Sequence, residues 1–171
     1  MPSTAIDSQI HGSMFSTDEM RKIWSDESWA QKWLDTEAAL AKAQGELGVI
    51  PKDKADVINE YAKAELLDIP SIGEFYKSSI TIVPLLRAFK AVLPDHAGEF
   101  VHWGATSQDI VDTGMVLLER DAYQVILRDM KACLKACLAL AKKYRTTPDG
   151  RPYARCPRCA DHLRLQGRCL G

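Results

Sequence analysis

The stretch of residues 106–144 repeats apolar positions at helical spacing and contains no proline, and it limits the possible folds of this chain more than any other feature. Its periodic positions are Ile110, Gly114, Leu117, Leu118, Val125, Ile126, Met130, Cys133, Leu134, Cys137, Leu138 and Ala141. A helix of that length extends roughly 55–60 Å at about 1.5 Å per residue, whereas a compact chain of this size has a radius of gyration of only about 16 Å. Because apolar residues lie around much of its circumference, we predict that other elements cover several of its sides.

The remainder of the N-terminal part also has helical patterning, and no alternating strand pattern competes with it. Ser16 with Glu19 forms a capping-box signature ahead of a first helix. Further helices are predicted at about 26–47, 51–64 and 81–93, with a short helix and loop at 69–76 and a loop at 98–105. The second of these carries its periodic face at Trp29, Trp33, Leu34, Glu37, Leu40, Ala41, Gln44 and Leu47. The predicted fold class is all-α, an N-terminal helical region followed by one long helix.

Composition excludes several classes of protein. The 22 basic and 23 acidic residues give a net charge of −1, which offers no global electrostatic attraction for nucleic acid or a membrane surface. The apolar runs are too short to span a bilayer. No charged segment followed by an apolar one opens the chain, so we expect a cytoplasmic protein with reduced thiols. Cys133 and Cys137 are predicted to be small core residues of the long helix.

The segment of residues 101–113 combines features from which a binding site can be built. A glycine-containing loop leads into the long helix, where Thr106 or Ser107 can cap the first turn and acidic residues complement the helix dipole. Free backbone N–H groups and two hydroxyls at such a helix start suit a carboxylate or a phosphate. His102 lies close enough to hydrogen-bond or protonate the bound group. The alternative is a well-capped helix whose histidine is incidental.

The residues of this segment resemble a known family signature. They read His102-Trp103-Gly104-Ala105-Thr106-Ser107-Gln108-Asp109-Ile110-Val111-Asp112-Thr113. This run resembles the first signature region of the fumarase/aspartase superfamily, and its Thr-Ser-Gln-Asp form looks most like the 3-carboxy-cis,cis-muconate cycloisomerase branch. Residues 20–27, 33–40 and 46–51 are similar to the adenylosuccinate lyase branch as well. The likeness covers about residues 14–148.

The resemblance implies a β-elimination or its reverse on a small dicarboxylate-like substrate, without a cofactor. It also implies a homotetramer with a central bundle of long helices, in which three subunits contribute to each site. The motif match makes Thr106, Ser107 and Gln108 substrate-binding residues and places His102 in the same pocket. Asp109, Asp112 and Thr113 would support the helix start. We therefore divide the chain into an N-terminal helical domain at 1–105, a bundle helix at 106–148 and a tail at 149–171.

One upstream position departs from the family pattern. Related enzymes carry a histidine or asparagine in the segment that matches residues 77–84, and this chain has Ile80 there. Ser79 or Thr81 is the candidate substrate contact in that segment, and the alternative is that Ser78, Ser79 and Thr81 cap the following helix. The departure leaves the exact substrate open.

The tail at 149–171 differs in composition from the rest, with five arginines, three cysteines and no lysine. The family's second region, Gly-Arg-Thr-His-Gly, and its third, a loop with the serine base, are both absent from the chain. Permitted codons for residues 149–155, read from the second base, encode Met-Ala-Gly-Arg-Thr-His-Gly. We therefore expect a one-base frameshift near codon 149 and a truncated, inactive product.

Two other interpretations of the chain remain. The tail offers four possible zinc ligands, the right number and types for a zinc site: Cys156, Cys159, His162 and Cys169. The spacing of His162 and Cys169 is not that of a zinc finger. Incidental cysteines are the alternative, in which case no metal is bound. The chain can also be a helical interaction module that associates through the exposed face of its long helix.

Overall fold

The computed structural model describes residues 6, 8, 10–75, 82–150 and 160–162, with the backbone alone at 74–75, 148–150 and 160–162. The helices are α1 (Asp18–Ile23), α2 (Asp26–Glu46), α3 (Lys52–Tyr61), α4 (Ile69–Phe75), α5 (Val83–Val92) and α6 (Ser107–Lys143). Short 3₁₀ turns lie at Gly12–Met14, Ala64–Leu66 and Ala97–Phe100. The all-α prediction is confirmed, and the described strands are a single three-residue pair near the C-terminus. Two compact units, 1–123 and 124–171, divide the chain within α6.

Side-chain caps and one glycine explain the ends of the first two helices. The predicted cap at Ser16 is wrong, because Thr17 accepts the backbone N–H of Met20 at 3.2 Å and begins α1 one residue later. Ser25 caps α2 in the same way, where a helix start near residue 26 was predicted. Gly48 follows α2 with a φ of +71°, the left-handed conformation in which glycine ends a helix without steric cost.

The middle helices are shorter than the periodicity predicts. Pro51 lies immediately before α3, which ends at Tyr61 instead of 64 because a 3₁₀ turn follows. The start of α5 is Val83, with Pro84 in its first turn, two residues after the predicted start. The predicted loop at 98–105 is partly the 3₁₀ turn Ala97–Phe100.

The core of the first unit lies between α2, α3 and α5. Its largest fully buried apolar side chains are Leu34, Ile58, Ile82, Leu85 and Phe89. Polar contacts also join α2 to the chain around α3: Asn59 donates to the carbonyl of Ala38 at 3.0 Å, and Gln31 donates to the carbonyl of Ala62 at 2.9 Å. Leu47 was predicted on the buried face, but it lies beyond the end of α2 and is exposed.

The first part of α6 packs against α2 at a point where only glycine fits. A Cβ atom on Gly114 would lie 2.5 Å from Cδ1 of Trp33. Seven residues further along, Lys32 of α2 forms a salt bridge of 2.9 Å with Asp121. Ile110, Leu118 and Ala122 complete the buried side of this part of α6.

The second unit contains the rest of α6 and the strands β1 (Pro148–Gly150) and β2 (Ala160–His162), which pair antiparallel. Every side chain from 128 to 147 is exposed. The prediction that Cys133 and Cys137 are core residues is therefore wrong for this chain, since no described element covers them. Within the described residues, no helix is long and apolar enough to cross a membrane.

Candidate functional site

The loop before α6 is fixed to the core at three consecutive residues. The Val101 side chain is buried. Nδ1 of His102 lies 2.6 Å from Oε1 of Glu37, and the carbonyl of Trp103 accepts a 2.8 Å hydrogen bond from Nε2 of Gln44. Glu37 and Gln44 are seven residues apart on α2 and thus lie on the same face of that helix. The loop is therefore held by α2 as well as by its own turn.

The backbone of this loop twice enters the left-handed region. His102 has a φ of +64° and Gly104 a φ of +68°. Glycine adopts this conformation freely, whereas a residue with a Cβ does so at a cost of about 1–2 kcal/mol. The strain at His102 persists because the buried Val101 and the contact with Glu37 fix the residues around it.

Glu37 is an unusual core residue, with a side chain only 1% exposed. Its Oε1 contacts His102, but its Oε2 is buried without a hydrogen-bond partner in the described part of the chain. Burial raises the pKa of the Glu37 carboxyl above its ordinary value, and the hydrogen bond and charge of His102 oppose that rise. A weaker opposing effect comes from the positive charge of Lys90.

At the start of α6, the side chains of Asp109 and Asp112 each accept a hydrogen bond from a nearby residue. The backbone N–H of Thr106 donates to Oδ2 of Asp109 at 3.3 Å, and Thr113 donates its hydroxyl to the carbonyl of Asp109 at 2.6 Å. Gln108 donates to Asp112 at 2.6 Å, so its amide is already engaged.

The side-chain hydroxyls of Thr106 and Ser107 are different, because neither hydrogen-bonds to any described residue. They lie at the positive end of a 37-residue helix, where unpaired backbone N–H groups also point. Hydroxyls and N–H groups in this arrangement are suited to a small anion such as a carboxylate.

The structure brings together only some of the predicted site residues. His102, Thr106, Ser107, Gln108, Asp109, Asp112 and Thr113 share the loop and the first two turns of α6. Ser79 and Thr81 lie outside the described residues, as do Cys156, Cys159 and Cys169, and only the backbone of His162 is described. No cluster of potential metal ligands occurs in the described ranges. The roles of these residues remain predictions.

Sequence reasoning missed Glu37 and Gln44 as site residues and placed both on the periodic face of α2. A signal was present, since a glutamate and a glutamine on an otherwise apolar face imply buried polar groups that need partners. The partners could not be read locally, because His102 lies 65 residues from Glu37.

The described chain is mostly helical, and a loop histidine, His102, precedes the hydroxyl-bearing start of its long helix α6. A family model described as "Lyase" matches residues 13–150. The chain belongs to this lyase family, within the fumarase/aspartase superfamily.

Curated relatives resemble the chain over most of its length. The N-acetyl-S-(2-succino)cysteine lyase of Enterococcus italicus is 47% identical over 86% of this chain and 32% of its own. The adenylosuccinate lyase of Methanocaldococcus jannaschii is 40% identical over 78% and 29%. The 3-carboxy-cis,cis-muconate cycloisomerase of Acinetobacter baylyi is 34% identical over 81% and 32%. The chain therefore spans about a third of the length of these relatives.

Solved structures agree with this assignment. The 3-carboxy-cis,cis-muconate lactonizing enzyme of Pseudomonas putida has a TM-score of 0.82 and 32% identity, over 88% of this chain and 35% of that one. A fumarate lyase from Mesorhizobium sp. BNC1 has a TM-score of 0.75 and 35% identity, over 86% and 34%.

Proposed function

We propose that the chain supplies one carboxylate-binding corner of a lyase active site, which acts by β-elimination on a dicarboxylate substrate. The observation that carries this proposal is the pair of hydroxyls on Thr106 and Ser107 at the start of α6, which bond to no described residue, with His102 in the same loop. Elimination next to a carboxylate builds negative charge on that carboxylate. Fixed donors already aimed at it stabilise the charge without reorganising.

The substrate class that we favour is a succinyl group attached to sulfur or nitrogen. Two of the relatives, at 47% and 40% identity, are named for S-succinyl and N-succinyl compounds. In such a reaction, a base removes the proton beside one carboxylate, and that electron pair forms the C=C bond of fumarate. The C–S or C–N bond breaks, and the heteroatom leaves with its electron pair and takes up a proton.

Cycloisomerisation of 3-carboxymuconate is the second candidate, and the signature motif at 102–113 taken alone favours it. The TM-score of 0.82 to the lactonizing enzyme favours it. The succinocysteine lyase is more similar in sequence, at 47% identity against 34% for the cycloisomerase, so we rank cycloisomerisation second.

The complete site requires groups that this chain does not contain. The histidine of Gly-Arg-Thr-His-Gly and the serine loop are missing from its 171 residues. We propose that residues 149–171 are read out of frame and that residues 1–105 and 106–148 are the native domains. The family match at 13–150 stops next to the proposed break, which supports this division. The proposed enzyme is a cytoplasmic homotetramer.

Sequencing the gene over codons 145–200 tests the frame, and a frame-restored enzyme tests the activity. We expect that enzyme to release fumarate from N-acetyl-S-(2-succino)cysteine or adenylosuccinate, whereas the 171-residue chain has no turnover. Ser107→Ala and Thr106→Val should each lower kcat about 10²–10³-fold, the usual cost of removing a donor to a developing oxyanion. Ser16→Ala, which removes a hydroxyl outside the site, is the matched control.

Lactone formation from 3-carboxymuconate without fumarate release would select the second candidate. Full activity in both Ser107→Ala and Thr106→Val would refute the carboxylate-binding corner. An unbroken gene without a family-like second frame would refute the frameshift.

A further inference from the structure

The contact between Glu37 and His102 is more than a core salt bridge, because it leaves one atom of each partner unused. Oε1 of Glu37 lies 2.6 Å from Nδ1 of His102, while Oε2 has no partner among the described residues. Nε2 of His102 also hydrogen-bonds to no described residue, and the imidazole is 17% exposed. The pair therefore joins a buried carboxylate to a partly exposed imidazole whose Nε2 bonds to no described residue.

The backbone indicates that this orientation of the ring is imposed. His102 is in the left-handed conformation at φ +64°, which a residue with a Cβ avoids unless surrounding contacts require it. The same loop is also held by the Gln44 bond to the carbonyl of Trp103. Two side chains on one face of α2 thus fix the loop, but only Glu37 reaches the ring.

We propose that Glu37 is a positioning residue, whose buried carboxylate accepts the Nδ1–H of His102 and so fixes the imidazole in the Nδ1–H form. The hydrogen bond at one ring nitrogen decides the protonation of the other. Nε2 then carries a lone pair, and it is the ring nitrogen that hydrogen-bonds to no described residue. Metal-binding histidines are oriented by outer carboxylates on the same principle.

The use of Nε2 toward a substrate rests on the proposed function, but the role of Glu37 does not. A carboxylate bound by Thr106 and Ser107 would lie close to the loop in which the backbone N–H of Ala105 reaches the carbonyl of His102. In that arrangement, Nε2 can accept a proton or, once protonated, donate one. Among the described residues, the Glu37 carboxylate hydrogen-bonds to His102 alone, and it acts through that ring.

Nitrogen-15 NMR of the histidine side chains in the full 171-residue chain tests the proposal. At about pH 8.5, where an ordinary imidazole is neutral, the ratio of Nδ1–H to Nε2–H forms is measured for each ring. His11 is exposed and has no described side-chain partner, so it supplies the unconstrained ratio. We expect the His102 ratio to exceed that of His11 about tenfold or more, since a hydrogen bond to a charged acceptor supplies that much preference.

Three variants separate the carboxylate from the general packing of the loop. Glu37→Met should bring the His102 ratio close to that of His11, and Glu37→Gln should retain part of the preference through its amide oxygen. Gln44→Met removes the neighbouring loop contact but keeps Glu37, so the ratio should not change. A wild-type ratio equal to that of His11 would overturn the proposal, even if no Glu37 variant folds. A preference that survives in folded Glu37→Met would overturn it too.

Titration with succinate separates this proposal from the proposed function. Movement of the His102 Nε2 resonance and of the Thr106 and Ser107 amides supports both. If the Nδ1–H form is fixed but succinate moves none of these signals, the carboxylate-binding corner is refuted and the role of Glu37 stands.

Discussion

Replacing Gly114 with alanine tests how closely α6 packs on α2. A Cβ atom at this position would lie 2.5 Å from Cδ1 and 3.0 Å from Nε1 of Trp33, well inside ordinary van der Waals contact. The indole is held within a row of rings, with its centroid 5.5 Å from that of Trp29, so it cannot swing away freely. Either the ring or the helix must shift.

Two opposing effects set the size of the change. Alanine gains about 1 kcal/mol over glycine in a helix interior. Inserting a methyl group into a packed site costs typically about 1–3 kcal/mol. We therefore expect Gly114→Ala to lower the free energy of unfolding by between roughly zero and 2 kcal/mol.

Gly73→Ala is the matched control, because Gly73 lies inside α4 and a Cβ there meets no described atom within 4 Å. It gains the helix propensity without the clash and should be stabilising. The two variants should differ by about 1–3 kcal/mol, or roughly 1 M in urea midpoint at an m-value near 2 kcal/mol/M. Urea titration followed by far-UV circular dichroism measures the difference. If Gly114→Ala is stabilised as much as Gly73→Ala, the close contact with Trp33 does not exist.

Further predictions concern the first helix cap, a surface salt bridge and the buried carboxyl. Thr17→Ala should cost about 1 kcal/mol and Ser16→Ala less than about 0.5 kcal/mol in urea unfolding, and equal costs would contradict the assignment of the cap. Asp121→Asn should cost under about 1 kcal/mol, because the pair with Lys32 is partly exposed. The hydrogen bond from Lys32 lowers the pKa of Asp121 below its ordinary value of 3.8. The stabilisation by this salt bridge is therefore present above pH 3.8 and should be lost as the pH falls through the lowered pKa of the folded chain. Added salt should weaken it as well. Burial raises the pKa of the Glu37 carboxyl above 4.5, so as the pH rises the unfolded chain loses that proton before the folded chain does. The free energy of unfolding of the wild type should therefore fall relative to that of Glu37→Gln as the pH rises above 4.5. A rise over the same pH range would contradict the direction of the pKa shift.

Local patterns were sufficient to predict the helices to within about three residues at each end. The long helix was predicted at 106–144 and is observed at Ser107–Lys143, because its apolar repeat continues without proline. Gly48 marked the end of α2 by its conformational freedom. The cap of α1 was placed one residue early, because Ser16 and Thr17 both have a suitable hydroxyl and only the backbone decides between them.

The site was predictable in part. The motif located the helix start and the loop histidine, since both lie within twelve consecutive residues. The partner of that histidine was not predictable, because it depends on the packing of α2 against a loop 65 residues away. Cys133 and Cys137 illustrate another limit: helical periodicity identifies an apolar face, but it does not tell whether the chain itself covers that face.

The left-handed backbone at His102 also restricts how the chain can evolve. Glycine and asparagine tolerate a φ of +64° better than histidine does, so selection for thermal stability alone would favour them at this position. Such a replacement would leave the buried Glu37 carboxylate without its hydrogen-bond partner, which destabilises the fold. An apolar residue at position 37 would remove that cost. Positions 37 and 102 should therefore covary among relatives: lineages that retain the histidine keep an acidic residue at 37, and lineages that lose it are free to replace both.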